Sequence, residues 1–161
     1  MPITDDNTSS PEHERYAVFT SRLAAVESLP NDHLEALIAE AAADPDVAMG
    51  GSVLALIAEH RLLSEVQRSS LVSHPHYQQP FLQHRLRRAT LLMLLRASSV
   101  SEDLPAQCIA FADAPVHRAL LAHRVIRHQH LVALRAHGAN RAIRNTAGQR
   151  LRTRAPSVGP A

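Results

Sequence analysis

Lysine is absent from this 161-residue chain, and all seventeen of its fixed positive charges are arginine. Without an ε-amine there can be no Walker-type phosphate loop, whose lysine reaches the phosphates, and no Schiff-base catalysis. Cysteine occurs once, at Cys108, which excludes an internal disulfide and any cage of several thiolates. Aromatics are few (Tyr16, Phe19, Tyr77, Phe81 and Phe111, with no tryptophan), so the core must be built from Leu, Ala, Val and Ile. No apolar run approaches the roughly 20 residues that a membrane span needs. The opening residues, MPITDDNTSSPEHE, are acidic and polar, the opposite of a secretory leader. A cytoplasmic protein with no membrane contact is expected. Runs of β-branched residues with period two and Gly-containing hairpin turns are also missing, so no strand is expected.

Acids are missing from one end. Residues 1–65 hold twelve acids against three arginines, giving −9, whereas residues 114–161 hold nine arginines and no acid, giving +9. The overall charge of +2 conceals this polarity. Such asymmetry points to a basic surface that meets something anionic.

What is present reads as helix. Ser10-Pro11-Glu12 offers an N-cap followed by proline at the first helical position, and Leu29-Pro30 marks the expected stop. Asp32 with Glu35 would cap a second helix carrying Leu34, Leu37, Ile38 and Ala41 at helical spacing. Asp44-Pro45, Gly50-Gly51, Pro75, Pro80, Pro105, Pro115 and Gly138 divide the remainder into segments of helix-pair size. Residues 1–9 and 154–161 read as flexible tails around a single domain over 10–153.

A repeat is visible within it. Residues 36–42 read ALIAEAA and residues 55–61 read ALIAEHR. An apolar residue then recurs at Val47, Val66, Leu86, Val116 and Ile143, spaced by 19 to 30 residues, and an arginine-bearing stretch follows the last four. The stretches LALIAEHRLLSEVQRSSLVSHP (54–75), CIAFADAPVHRALLAH (108–123) and LVALRAHGANRAIRNTAG (131–148) resemble the HEAT-like and leucine-rich-repeat-variant class of helical solenoids. One ankyrin-like unit at 114–149 is a competing resemblance. Both imply an all-α, short and irregular helical-repeat stack that works as a binding or adaptor module. The iron–sulfur cluster of some variant-repeat proteins does not carry over, because only Cys108 is present.

In the repeat frame Arg68, Arg88 and Arg118 share one position, with Arg87 and Arg144 one step earlier. Together with Arg141 they form the expected partner-binding ladder, since guanidiniums read carboxylates and phosphates through paired hydrogen bonds. An acidic protein is the expected partner. The alternatives are the backbone of a nucleic acid held by 114–154, or head-to-tail self-association of the acidic and basic ends. The histidines read as surface or cap residues, because His123, His130 and His137 would align only on an unbroken helix, and the stretch at Arg127-His128-Gln129 interrupts it. Their protonation would strengthen anion binding below about pH 6.5. No metal, cofactor or catalytic residue is expected: Cys108 sits in an apolar setting, and Gly-x-Ser-x-Gly, His-Glu-x-x-His and Gly-rich phosphate loops are absent.

Overall fold

The computed structural model describes residues 11–154, and among them every regular element is helical. The helices are α1 (Pro11–Ala24), α2 (Asn31–Ala42), α3 (Val47–Glu59), α4 (Glu65–Ser73), α5 (Pro80–Arg96), α6 (Leu104–Ala110), α7 (Ala114–Ala122), α8 (His128–His137) and α9 (Arg141–Arg154). A 3₁₀ turn at Pro75–Tyr77 separates α4 from α5. The all-α expectation therefore holds. The expected tails 1–9 and 154–161, and the Ser10 cap, lie outside the described residues, except for Arg154 at the end of α9. No described helix is long and apolar enough to cross a membrane.

Two boundaries differ from the expectation. α1 ends at Ala24 rather than at Leu29. Leu29 is instead a buried loop residue whose carbonyl accepts a hydrogen bond from Nε2 of Gln67 at 2.7 Å. The Asp32–Glu35 cap does not form either, because α2 starts at Asn31, behind Pro30. The Asn31 side-chain oxygen accepts from the same Gln67 amide at 2.9 Å, so one glutamine of α4 fixes the entry into α2.

The chain divides into two compact units, 1–87 and 88–161, with the boundary inside α5. Where one domain over 10–153 was expected, the buried apolar residues fall into two clusters. In the first unit Leu34, Leu37 and Ile38 of α2 pack with Val53, Leu54 and Ile57 of α3, Leu71 of α4 and Tyr77. Tyr77 is fully buried, and its hydroxyl donates to the Leu54 carbonyl at 2.8 Å. Burial raises its pKa above the ordinary value. In the second unit Cys108, Val116, Leu120, Leu131, Leu134 and Ile143 form the centre, and the cysteine is buried as its apolar setting suggested. Burying one such aliphatic side chain stabilises by about 1.5–3 kcal/mol.

The register of the repeat is set by helix caps rather than by the apolar residues. Asp46, Ser64, Asp113 and Asn140 each stand before a helix and accept the backbone N–H three residues on, from Met49, Gln67, Val116 and Ile143, at 3.0–3.1 Å. Seven residues after each cap lies a buried residue: Val53, Leu71, Leu120 and Ala147. Four residues after it lies a residue that meets the C-terminal carbonyls of the preceding helix. From Ser64 this is Arg68, which donates to Ala58 O and to His60 O. From Asp113 it is His117, placed 3.1 Å from Cys108 O and 3.2 Å from Ile109 O. From Asn140 it is Arg144, which donates to Gly138 O at 2.8 Å. From Asp46 it is Gly50, where an added Cβ would collide with the Ala41 carbonyl oxygen. Gln83, four past Gln79 at the head of α5, donates to Val72 O at 3.1 Å and Tyr77 O at 2.6 Å. Helix ends leave their last carbonyls without intrahelical partners. Here the next segment supplies those partners.

A candidate anion-binding site on the second unit

Counted from the caps, the expected ladder changes composition. Val47 and Val66 are each 78% exposed, whereas Leu86, Val116 and Ile143 are buried, so these five positions are not equivalent. Arg68 corresponds to His117 and Arg144, not to Arg88 and Arg118. It is only 4% exposed, and both of its terminal nitrogens donate to backbone carbonyls. Desolvation lowers its pKa from the ordinary value, and the charge of Glu59 opposes that shift. Arg68 therefore belongs to the interior, not to a surface ladder.

The other five divide between the units. Arg87 is exposed at the end of the first unit. Arg88 opens the second, half-buried, with Nη1 3.9 Å from Oδ2 of the capping Asp113. Arg118 of α7 and Arg141 at the head of α9 are exposed. Arg144, also exposed, is held at one nitrogen by Gly138 O and lines a groove between α8 and α9.

That groove has a volume of about 480 Å³ and is lined by Arg135, Arg144, Asn145, Gly148, Gln149 and Arg152. Three guanidiniums and two carboxamides line it, and no carboxylate does. Spacing explains the α9 side: residues 144, 145, 148, 149 and 152 recur at three- and four-residue steps and so share one helix face. Gly148 lies beneath the Arg135 side chain, where an added Cβ would stand 3.8 Å from Cδ, an ordinary contact distance. Glycine inside a helix costs about 0.5–1 kcal/mol relative to alanine. Arg135 and Arg152 make no hydrogen bond or ion pair among the described residues. Neither was selected from the sequence, although the 144–152 spacing would have found Arg152 had α9 been carried past Gly148.

The acids of this unit lie before α7. Residues 88–161 hold eleven arginines against Glu102, Asp103 and Asp113, a net of +8, and residues 1–87 hold six arginines against twelve acids, a net of −6. Asp113 caps α7, and Glu102 lies 3.8 Å from Arg127.

The histidines are built into the backbone. Nδ1 of His60, His74, His117, His123 and His130 accepts the N–H of Leu62, His76, Ala139, Val125 and Arg127, respectively. An accepting Nδ1 leaves the proton on Nε2. In His117 that proton points at the Cys108 and Ile109 carbonyls, so one buried ring joins α6, α7 and the turn before α9. His60 titrates below its ordinary value, chiefly because it is desolvated, although its bond to Leu23 O opposes the shift. His130 is lowered by desolvation and then by the charge of Arg127. Among the described residues no three His, Cys, Asp or Glu side chains gather as a metal-ligand set.

The first unit holds a cavity of about 610 Å³, lined by Phe19, Met49 and Val53 among others and bordered by two ion pairs. These are Arg22–Glu40 at 2.6 Å and Arg15–Asp44 at 3.4 Å. Glu40 and Glu59, equivalent in the ALIAE repeat, have matching partners, since Glu59 takes Arg85 at 2.6 Å. Both arginines on the rim of this cavity are thus paired with carboxylates, unlike Arg135 and Arg152 of the α8–α9 groove. Comparison with protein-family models, with curated proteins and with solved structures found no match to this chain.

Proposed function

We propose that the protein is a non-enzymatic binding module, a short helical-repeat stack that holds an acidic partner against the arginine face of its second unit. The observation that carries this reading is the α8–α9 groove, where Arg135, Arg144 and Arg152 converge with two carboxamides and without a carboxylate. Guanidiniums remain charged at all working pH values and carboxamides do not titrate, so the groove attracts and orients an anion without moving protons. Arg118 and Arg141 are exposed on the same unit and extend the positive field beyond the groove.

The test is a titration of the full chain with a labelled poly-glutamate peptide and with heparin at low salt, alongside Arg135→Glu/Arg152→Glu. Wild-type binding to at least one polyanion, weakened on the order of tenfold or more by the double reversal, is the expected result. The melting temperature should stay close to wild type, because neither side chain holds the fold. A wild-type chain that captures no polyanion would overturn the reading.

A further inference from the structure

We infer that the anion read by the second unit is the phosphodiester backbone of a nucleic-acid duplex, with the α8–α9 groove seating its phosphates. This rests on the binding-module reading above and commits it to one partner chemistry.

Charge density carries the first step. α9 spans fourteen residues, and Arg141, Arg144 and Arg152 lie along it. Eleven residues of helix rise by about 16 Å. Duplex DNA presents one negative charge per roughly 1.7 Å of axis, so it is matched along that length without special sequence. A peptide would have to place carboxylates in an unbroken run to do the same.

The distribution of the cations carries the second step. Besides the groove, Arg96, Arg118, Arg124 and Arg127 of the same unit are exposed. A single phosphorylated side chain would engage the groove and leave the rest idle, whereas a polyanion tens of ångströms long meets many of them.

The third step concerns what the unit lacks for other nucleic-acid modes. Residues 114–161 contain no Phe, Tyr or Trp, so the large stacking platforms that favour single strands are missing there. Contacts confined to phosphates set position and affinity but not sequence. The groove's donors suit phosphate oxygens, since the Asn145 and Gln149 amides and three guanidiniums all present N–H groups. Backbone binding without base preference follows.

The deciding experiment is fluorescence anisotropy of the full chain with labelled duplex DNA, duplex RNA, a single strand and poly-glutamate, at about 50 and about 200 mM salt. Three proteins are compared: wild type, Arg135→Ala/Arg152→Ala, and Arg22→Ala/Arg61→Ala, a charge-matched control on the first unit. Circular dichroism checks that each is folded. The expected result is tighter binding to a duplex than to the single strand or poly-glutamate, with little dependence on duplex sequence. The groove variant should lose on the order of tenfold in duplex affinity, and its log–log salt slope should fall by about 1.8, at about 0.9 per phosphate contact. The control should lose clearly less. The DNA and RNA arms identify which duplex is preferred.

Equal affinity for poly-glutamate and duplex would overturn this inference and leave the binding module standing. Equal losses in the groove and control variants would overturn the groove as the seat. Absence of binding to every probe at low salt would overturn both readings together.

Discussion

Arg68 shows how far a residue's role can depart from its chemical type. An arginine in a basic chain reads as surface charge, yet this one is buried and joins the end of α3 to α4 through Ala58 O and His60 O. Charge-assisted hydrogen bonds contribute about 1.5–3 kcal/mol each, and carbonyls stripped of partners in the interior add a desolvation cost. Arg68→Met is therefore expected to lower unfolding stability by about 3 kcal/mol in urea denaturation. Arg68→Lys should retain part of that, because one ammonium cannot serve two diverging carbonyls. A loss below about 0.5 kcal/mol in Arg68→Met would remove the structural role assigned here. By contrast, Arg144 occupies the equivalent position but anchors only one nitrogen and lines the groove.

At the scale of elements, the helices themselves were legible. Proline at the first turn of α1 and apolar spacing in α2 point to those two helices, and Pro105 and Pro115, read as segment boundaries, lie in the first turns of α6 and α7. The register of the repeat was not. Val47 and Val66 look like core positions in an apolar frame, but they fall one and two residues after their caps and point outward. The caps Asp46, Ser64, Asp113 and Asn140 are three residue types with one geometry, which an identity-based repeat search passes over. The groove is legible in part: Arg144 stands among the sequence candidates, but Arg135 lies on another helix, where its side chain passes over Gly148. That glycine supplies the test for this scale. Gly148→Ala places its methyl at an ordinary contact distance from Arg135, so it fits, and α9 gains about 0.5–1 kcal/mol of helix stability. The same methyl rests against the Arg135 stem without a clash. A higher melting temperature with polyanion binding close to wild type is expected, and an unchanged or lower melting temperature would contradict the fit.

At the scale of the whole molecule, pH acts in two directions. The sequence suggests only that histidine protonation adds positive charge to the basic end. However, five of these rings accept backbone N–H groups at Nδ1, and a protonated ring cannot. For His60 and His130 the folded-state pKa lies below the ordinary value, so the unfolded chain takes up protons first. Their contribution to stability is complete above about pH 7 and is lost as pH falls through 6.5, levelling off once the folded rings are also protonated. The melting temperature should accordingly drop between about pH 7.5 and 5.5, and His60→Gln should flatten that drop. A midpoint that stays level or rises on acidification would contradict this account. Anion binding and fold stability are thus set against each other in mild acid.

The partner that closes each helix end always arrives later in the chain. The carbonyls bound by Arg68, Gln83, His117 and Arg144 lie six to eleven residues before those side chains. During synthesis on the ribosome, the ends of α3, α6 and α8 stay ragged only until about a dozen further residues have followed, whereas Leu23 O of α1 and Leu121 O of α7 wait for His60 and Arg150. The fold can then assemble like a zip drawn in one direction, N-terminal helices first, with each new segment locking the one before it. Chain termination before Arg150 would leave Leu121 O at the end of α7 without that partner.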